Sequence, residues 1–86
     1  MKNLNNYRNR INKVDGRIVK LLSRRQKISK EIGIFKIKNN LPVHNPKREQ
    51  EILDNLSIVA AENDLNPELI QKLFKIIFRY SKKVQK

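Results

Sequence analysis

Five polar side chains stand on or beside positions that the apolar pattern of this chain reserves for a core: Arg25, Lys36, Glu49, Ser81 and Gln85. Arg25 fills a place where an aliphatic residue is called for. Lys36 follows it about 20° round a helix and ~16 Å along the axis. Glu49 opens a second apolar stripe, Ser81 continues a third, and Gln85 lies one turn beyond Ser81. A buried charge without a partner is costly, so Arg25 requires an anion. Two readings stand side by side. One is structural: an ion pair from Arg25 to Glu49, or to Asp15 of a partner chain, or a polar residue that sets helix register. The other is a ligand that carries carboxylates. His44 is the single histidine, cysteine is absent, and no carboxylates cluster at metal-ligand spacing, so neither a metal nor a cofactor is expected. Ser81 has no nearby base to activate it. Cations and neutral donors remain, and they suit anion binding and stabilisation of developing negative charge more than general-base work.

Those residues need long helices to position them. Leu4, Tyr7, Ile11, Val14, Ile18, Leu21, Ile28, Ile32 and Phe35 recur at alternating steps of three and four, with Arg25 in the one missing place. This is the seam of a heptad pattern. No proline interrupts it, and the spacing predicts one helix of roughly 36 residues within Met1–Asn40, about 54 Å long. Gly16 and Gly33 lie inside, each costing about 1 kcal/mol relative to Ala, and a kink is expected at either if anywhere. A compact chain of this length is only about 30 Å across. The seam therefore calls for a cover from outside its own chain, and a second copy is the natural one. Residues 39–44 read as a turn-rich linker. Asn45-Pro46 and Asn66-Pro67 each pair an N-cap with proline at the first helical position. They predict a second helix with a core face of Glu49, Ile52, Leu53, Leu56, Val59 and Ala60, ending near Asn63-Asp64. A third follows from Pro67 to near Gln85 with a face of Ile70, Leu73, Phe74, Ile77, Ser81 and Val84. No stretch alternates like a strand. The class is all-α, one long helix and two shorter ones, as a single domain over residues 1–86.

Charge narrows the partners. The net charge is +12 over 86 residues. Residues 1–40 hold twelve Lys and Arg against Asp15 and Glu31, a net of +10, while residues 41–86 hold eight against six, a net of +2. A basic long helix suits an anionic partner, whether nucleic acid, a membrane surface or a small anion. The most apolar stretch, residues 69–78, is cut by Gln71, Lys72 and Lys75, and the N-terminus has no continuous apolar run, so neither a membrane span nor a signal peptide is expected. The cysteine-free composition suits a reducing cytoplasm.

Several short stretches, in order, resemble a known family over essentially the whole chain. They are Tyr7-Arg8-Asn9-Arg10-Ile11 with Val14-Asp15, Leu21-Leu22-Ser23-Arg24-Arg25, Ile32-Gly33-Ile34-Phe35-Lys36, Pro42-Val43, Arg48-Glu49, and Ser81 with Gln85. Each is weak alone; together they resemble the all-helical (type II) chorismate mutases. That resemblance implies an intertwined homodimer of three-helix chains with two active sites. It also implies conversion of chorismate to prephenate by a [3,3] sigmatropic rearrangement in phenylalanine and tyrosine synthesis.

By the same resemblance, Arg25 and Arg8 of the second chain pair with the two substrate carboxylates. Lys36 and Gln85 donate to the ether oxygen, Glu49 accepts from the ring hydroxyl, and Arg48 and Ser81 complete the polar lining. Asn45 stands where the family often has Asp. Asn caps a helix about as well, so the helix start should survive, and a backbone role toward the substrate hydroxyl would make the swap nearly silent. The chemistry agrees with the residue inventory, because a pericyclic step needs orientation and donors aimed at a developing oxyanion, with no base, nucleophile or metal. The closest alternative is an isochorismate-pyruvate lyase of the same fold, which Glu49 and Ser81 disfavour. A basic helical nucleic-acid-binding dimer, or a purely structural dimerisation module, would leave Glu49, Ser81 and Gln85 unexplained. The expected partners are thus chorismate and a second copy of the chain, with no nucleic acid and no membrane. Spacing agrees with Arg8 acting in trans: it lies about 25 Å before Arg25 along the helix, and antiparallel pairing of two long helices sets it level with residue 35 or so of the partner.

Overall fold

The computed structural model describes residues 3–86, and Met1 and Lys2, included in the predicted helical stretch, lie outside the described residues. The described residues form three α-helices, α1 (Leu4–Lys38), α2 (Pro46–Glu62) and α3 (Pro67–Gln85). α1 runs without interruption through both glycines. Its N-terminus is capped by Asn3, whose side chain accepts from the Asn6 amide at 3.0 Å. The two Asn-Pro signals start α2 and α3 as expected. The side chain of Asn45 accepts from the Arg48 amide at 3.1 Å, and that of Asn66 from the Glu68 amide at 2.9 Å. α1 and α2 close alike. Asn40 and Asp64 take left-handed backbone conformations (φ 55° and 57°). The Leu41 amide then donates to the Lys36 carbonyl and the Leu65 amide to the Ala60 carbonyl, both at 2.8 Å. These are Schellman closures that tie off orphan carbonyls without glycine.

α3 packs against both α1 and α2, which do not pack against each other. The chain measures 59 × 24 × 16 Å, with a radius of gyration of 16.3 Å, against about 12 Å for a compact domain of this length. The excess is the free half of α1. Every described residue from Asn3 to Arg24 is exposed, and the seam from Leu4 to Leu21 is 48–61% exposed. Among the described residues, Leu53, Ala60 and Phe78 are the buried hydrophobic side chains.

The faces of the shorter helices differ in detail from the periodic expectation. On α2, Leu53 and Ala60 are buried and Ile52 and Leu56 half-buried, while Val59 points outward. On α3 the buried line is Phe78, Ser81 and Gln85, flanked by Phe74 and Ile77. Leu73 belongs to a second, exposed stripe with Leu69, Ile76 and Tyr80. α3 thus carries two apolar faces, one used within the chain and one open to solvent.

Candidate active site

The contact of α1 with α3 is set by small residues. Ser29 and Gly33, one helical turn apart, are the buried positions of α1. A Cβ on Gly33 would stand 2.6 Å from the Gln85 Cα and 2.8 Å from its carbonyl oxygen, so only glycine admits the end of α3. The glycine expected as a possible kink is instead a close-approach point between helices. Nothing lies within 4 Å of a Cβ at Gly16.

This approach brings the predicted polar residues to one cavity of about 370 Å³. Arg25 and Lys36 enter from α1, Asn45, Arg48 and Glu49 from the start of α2, and Ser81 and Gln85 from α3, over an apolar wall that includes Ile32, Ile52 and Phe78. The size suits a small ligand, and the mixture of apolar wall and converging polar groups is that of a binding site. The cavity is partly open to solvent, and Ile28 and Ile32 in its lining remain 54% and 42% exposed. Arg8 is exposed, on the free half of α1, and does not line the cavity.

Lys36 organises one end. Its ammonium donates to the Gln85 Oε1 at 2.8 Å and to the Val43 carbonyl at 2.9 Å. An ammonium only donates, so the Gln85 amide must turn its oxygen toward Lys36 and its NH₂ group away. Lys36 retains a third N–H. The arrangement offers an ammonium and an amide donor side by side.

At the other end Arg25 donates through Nη1 to the Ser81 hydroxyl. Its guanidinium lies 5.8 Å from the centroid of the Phe78 ring, in range for a cation–π contact. Among the described residues no carboxylate comes within 4.0 Å of it, and the structural reading of an Arg25–Glu49 ion pair is not what forms. Glu49 turns to Lys82 at 3.1 Å and stands 4.0 Å from His44. Burial, and secondarily the charge of Arg48, hold the Arg25 guanidinium below the ordinary arginine value. Both causes penalise the charged form, which arginine nevertheless keeps at neutral pH. The cavity therefore holds a cation in a setting that an incoming anion would relieve.

Lys82 and Ser29 line this cavity and were not among the residues predicted for it. Lys82 was legible in principle, since 78, 81, 82 and 85 share one helical face. Ser29 could have been found four residues from both Arg25 and Gly33. Among the described residues no three of His, Cys, Asp and Glu gather as a metal site, and no helix is long and apolar enough to cross a membrane.

The fold and the cavity define an all-helical protein with a cavity lined by several cations over an apolar wall. The chain matches the family described as chorismate mutase type II over residues 7–86, and belongs to it. It is 41% identical over 93% of its length to a bifunctional chorismate mutase/prephenate dehydratase of Buchnera aphidicola, covering 22% of that protein. It is 28% identical over 92% of its length to the chorismate mutase of Methanocaldococcus jannaschii, covering 80% of that protein. The chain thus spans about a fifth of the bifunctional relatives it matches. A solved structure, a conserved hypothetical protein from Pyrococcus furiosus, superposes with a TM-score of 0.78 at 35% identity, covering 96% of this chain and 95% of that one.

Proposed function

We propose that this chain is a single catalytic domain, residues 1–86, that converts chorismate to prephenate by a [3,3] rearrangement. The observation that carries the reading is the pairing of Lys36 with Gln85 at 2.8 Å in the same cavity as Arg25. It supplies two donors at one end and a carboxylate-binding cation at the other. In the rearrangement the ether C–O bond breaks as a C–C bond forms, and negative charge grows on the ether oxygen. Donors fixed in advance favour that transition state over the ground state. Arg25 clamps one carboxylate, Glu49 accepts from the ring hydroxyl, and Asn45, Arg48 and Ser81 complete the lining.

The reading includes a homodimer. The seam of α1 and the second apolar stripe of α3 are rows of exposed apolar side chains on a chain with few buried residues of its own among those described. Covering a Leu or Ile side chain contributes about 1.5–3 kcal/mol. Arg8 of the partner would close the open side of the cavity and take the second carboxylate. A cytoplasmic location belongs to the same proposal.

The test is incubation of the purified chain with chorismate, following loss of its absorbance and identifying the product. Prephenate formation that depends on Arg25 supports the proposal. Inertness toward chorismate, or release of pyruvate from isochorismate in its place, overturns it.

A further inference from the structure

Glu49 poses an electrostatic difficulty within the proposed site. A carboxylate in a cavity that takes a dianion repels its own substrate, yet it is the lining residue suited to accept from a hydroxyl. The structure offers a specific remedy. Lys82 reaches Glu49 Oε2 with its ammonium at 3.1 Å, and both side chains are about three-quarters withdrawn from solvent (30% and 26% exposed). Among the described residues no other carboxylate comes within 4.0 Å of Lys82. Lys82 also borders a second hollow, lined with it by Val43, His44, Arg79, Lys83 and Lys86, and that lining includes no carboxylate. Glu49 is therefore the anchor of Lys82. Among the described residues no hydrogen bond or lysine or arginine pairing engages the other carboxylate oxygen, Oε1, from which the His44 Nε2 stands 4.0 Å, so it is left to accept from a ligand. Arg48 is engaged elsewhere, 3.6 Å from Glu51.

We propose that Lys82 is a positioning residue of this site, resting on the function proposed above. Its ammonium fixes the Glu49 carboxylate through Oε2 and cancels its charge, so that Oε1 can receive the substrate hydroxyl without repelling the carboxylates. The hydroxyl takes no part in bond making or breaking, so its hydrogen bond is equally strong in substrate and transition state. Such uniform binding appears in KM and leaves kcat largely alone.

The experiment compares Lys82→Met, Lys82→Arg, Glu49→Gln and the Lys82→Met/Glu49→Gln double variant with the wild type, using chorismate turnover. Circular dichroism melts establish that each is folded. Lys82→Met is expected to raise KM about tenfold, the scale of one charge-assisted hydrogen bond, with kcat within about threefold of wild type. Lys82→Arg should restore most of the loss. In the Glu49→Gln background there is no charge left to cancel, so Lys82→Met should add little, a non-additivity that direct coupling requires. If Glu49→Gln is impaired while Lys82→Met matches the wild type, the positioning role is overturned and the site reading stands. A loss in Lys82→Met that persists undiminished in the Glu49→Gln background, or that arginine does not rescue, overturns it in favour of general packing. A wild-type chain inert toward chorismate removes the site reading and the Lys82 proposal with it.

Discussion

At the residue scale, the central pair is Lys36 and Gln85. Lys36→Ala removes one donor and frees the amide of the other. In the role proposed for Lys36, turnover should fall by about 10²–10³, the usual cost of losing an oxyanion donor, while KM moves little, because the charge it would meet grows only in the transition state. Steady-state kinetics check this, and a change confined to KM would contradict the role. The pH profile follows from the amide. Gln85 does not titrate, and Arg25 stays charged although burial and Arg48 lower its pKa, so activity should vary little between about pH 6 and 8. A carboxyl at position 85 must be protonated to donate, so Gln85→Glu should move the optimum toward acid. A wild-type profile falling steeply between about pH 6 and 7 would argue against Gln85 as the donor. Arg25, Lys36, Glu49, Ser81 and Gln85 were legible from the chain alone because each is polar on or beside an apolar face. Arg8, Asn45 and Arg48 were not: they occupy ordinary surface or capping positions, and only the family resemblance singles them out. Lys82 escaped both routes, because a lysine at the edge of a helix face looks like a solvated one until Glu49 is seen beside it.

At the scale of the helices, caps and proline marks locate α2 and α3 closely, since an Asn cap and a following proline act through local geometry. What periodicity could not settle is which of two apolar faces of α3 turns inward. Leu69, Leu73, Ile76 and Tyr80 make one stripe, and Phe74, Phe78, Ser81 and Gln85 the other. The choice depends on where α1 permits contact, and that is Gly33. Replacing it tests the point. Gly33→Ala places a methyl 2.6 Å from the Gln85 Cα, so α3 must shift, which should destabilise the fold by about 1–3 kcal/mol. It should also cost activity by separating Gln85 from Lys36. Gly16→Ala meets nothing within 4 Å, and it should stabilise the fold by about 0.5–1 kcal/mol through helix propensity alone. Thermal melts of the two variants should move in opposite directions; a matched shift would show that Gly33 has no packing role.

At the scale of the whole molecule, the single chain is extended and basic, with much apolar surface exposed. Its seam is exposed from Leu4 to Leu21, Ile28 and Ile32 in the cavity lining are exposed as well, and Arg8 stands about 25 Å along α1 from Arg25. One small dianion cannot bridge that span within a chain. An antiparallel pairing of two long helices would cover the seam and carry Arg8 to the Lys36 end of the partner's cavity. The heptad pattern calls for a cover of the α1 seam, but in the proposed dimer which surface meets which would be a property of two chains together and is not legible in one. The decisive measurement mixes two inactive variants, Arg8→Ala and Arg25→Ala, by unfolding and refolding them together. In a heterodimer one site collects both lesions and the other has neither. With random pairing about half of the dimers are mixed, so about a quarter of all sites should regain wild-type chorismate turnover. If Arg8 serves its own chain, every site keeps a lesion, and the refolded mixture will be as inactive as its parents.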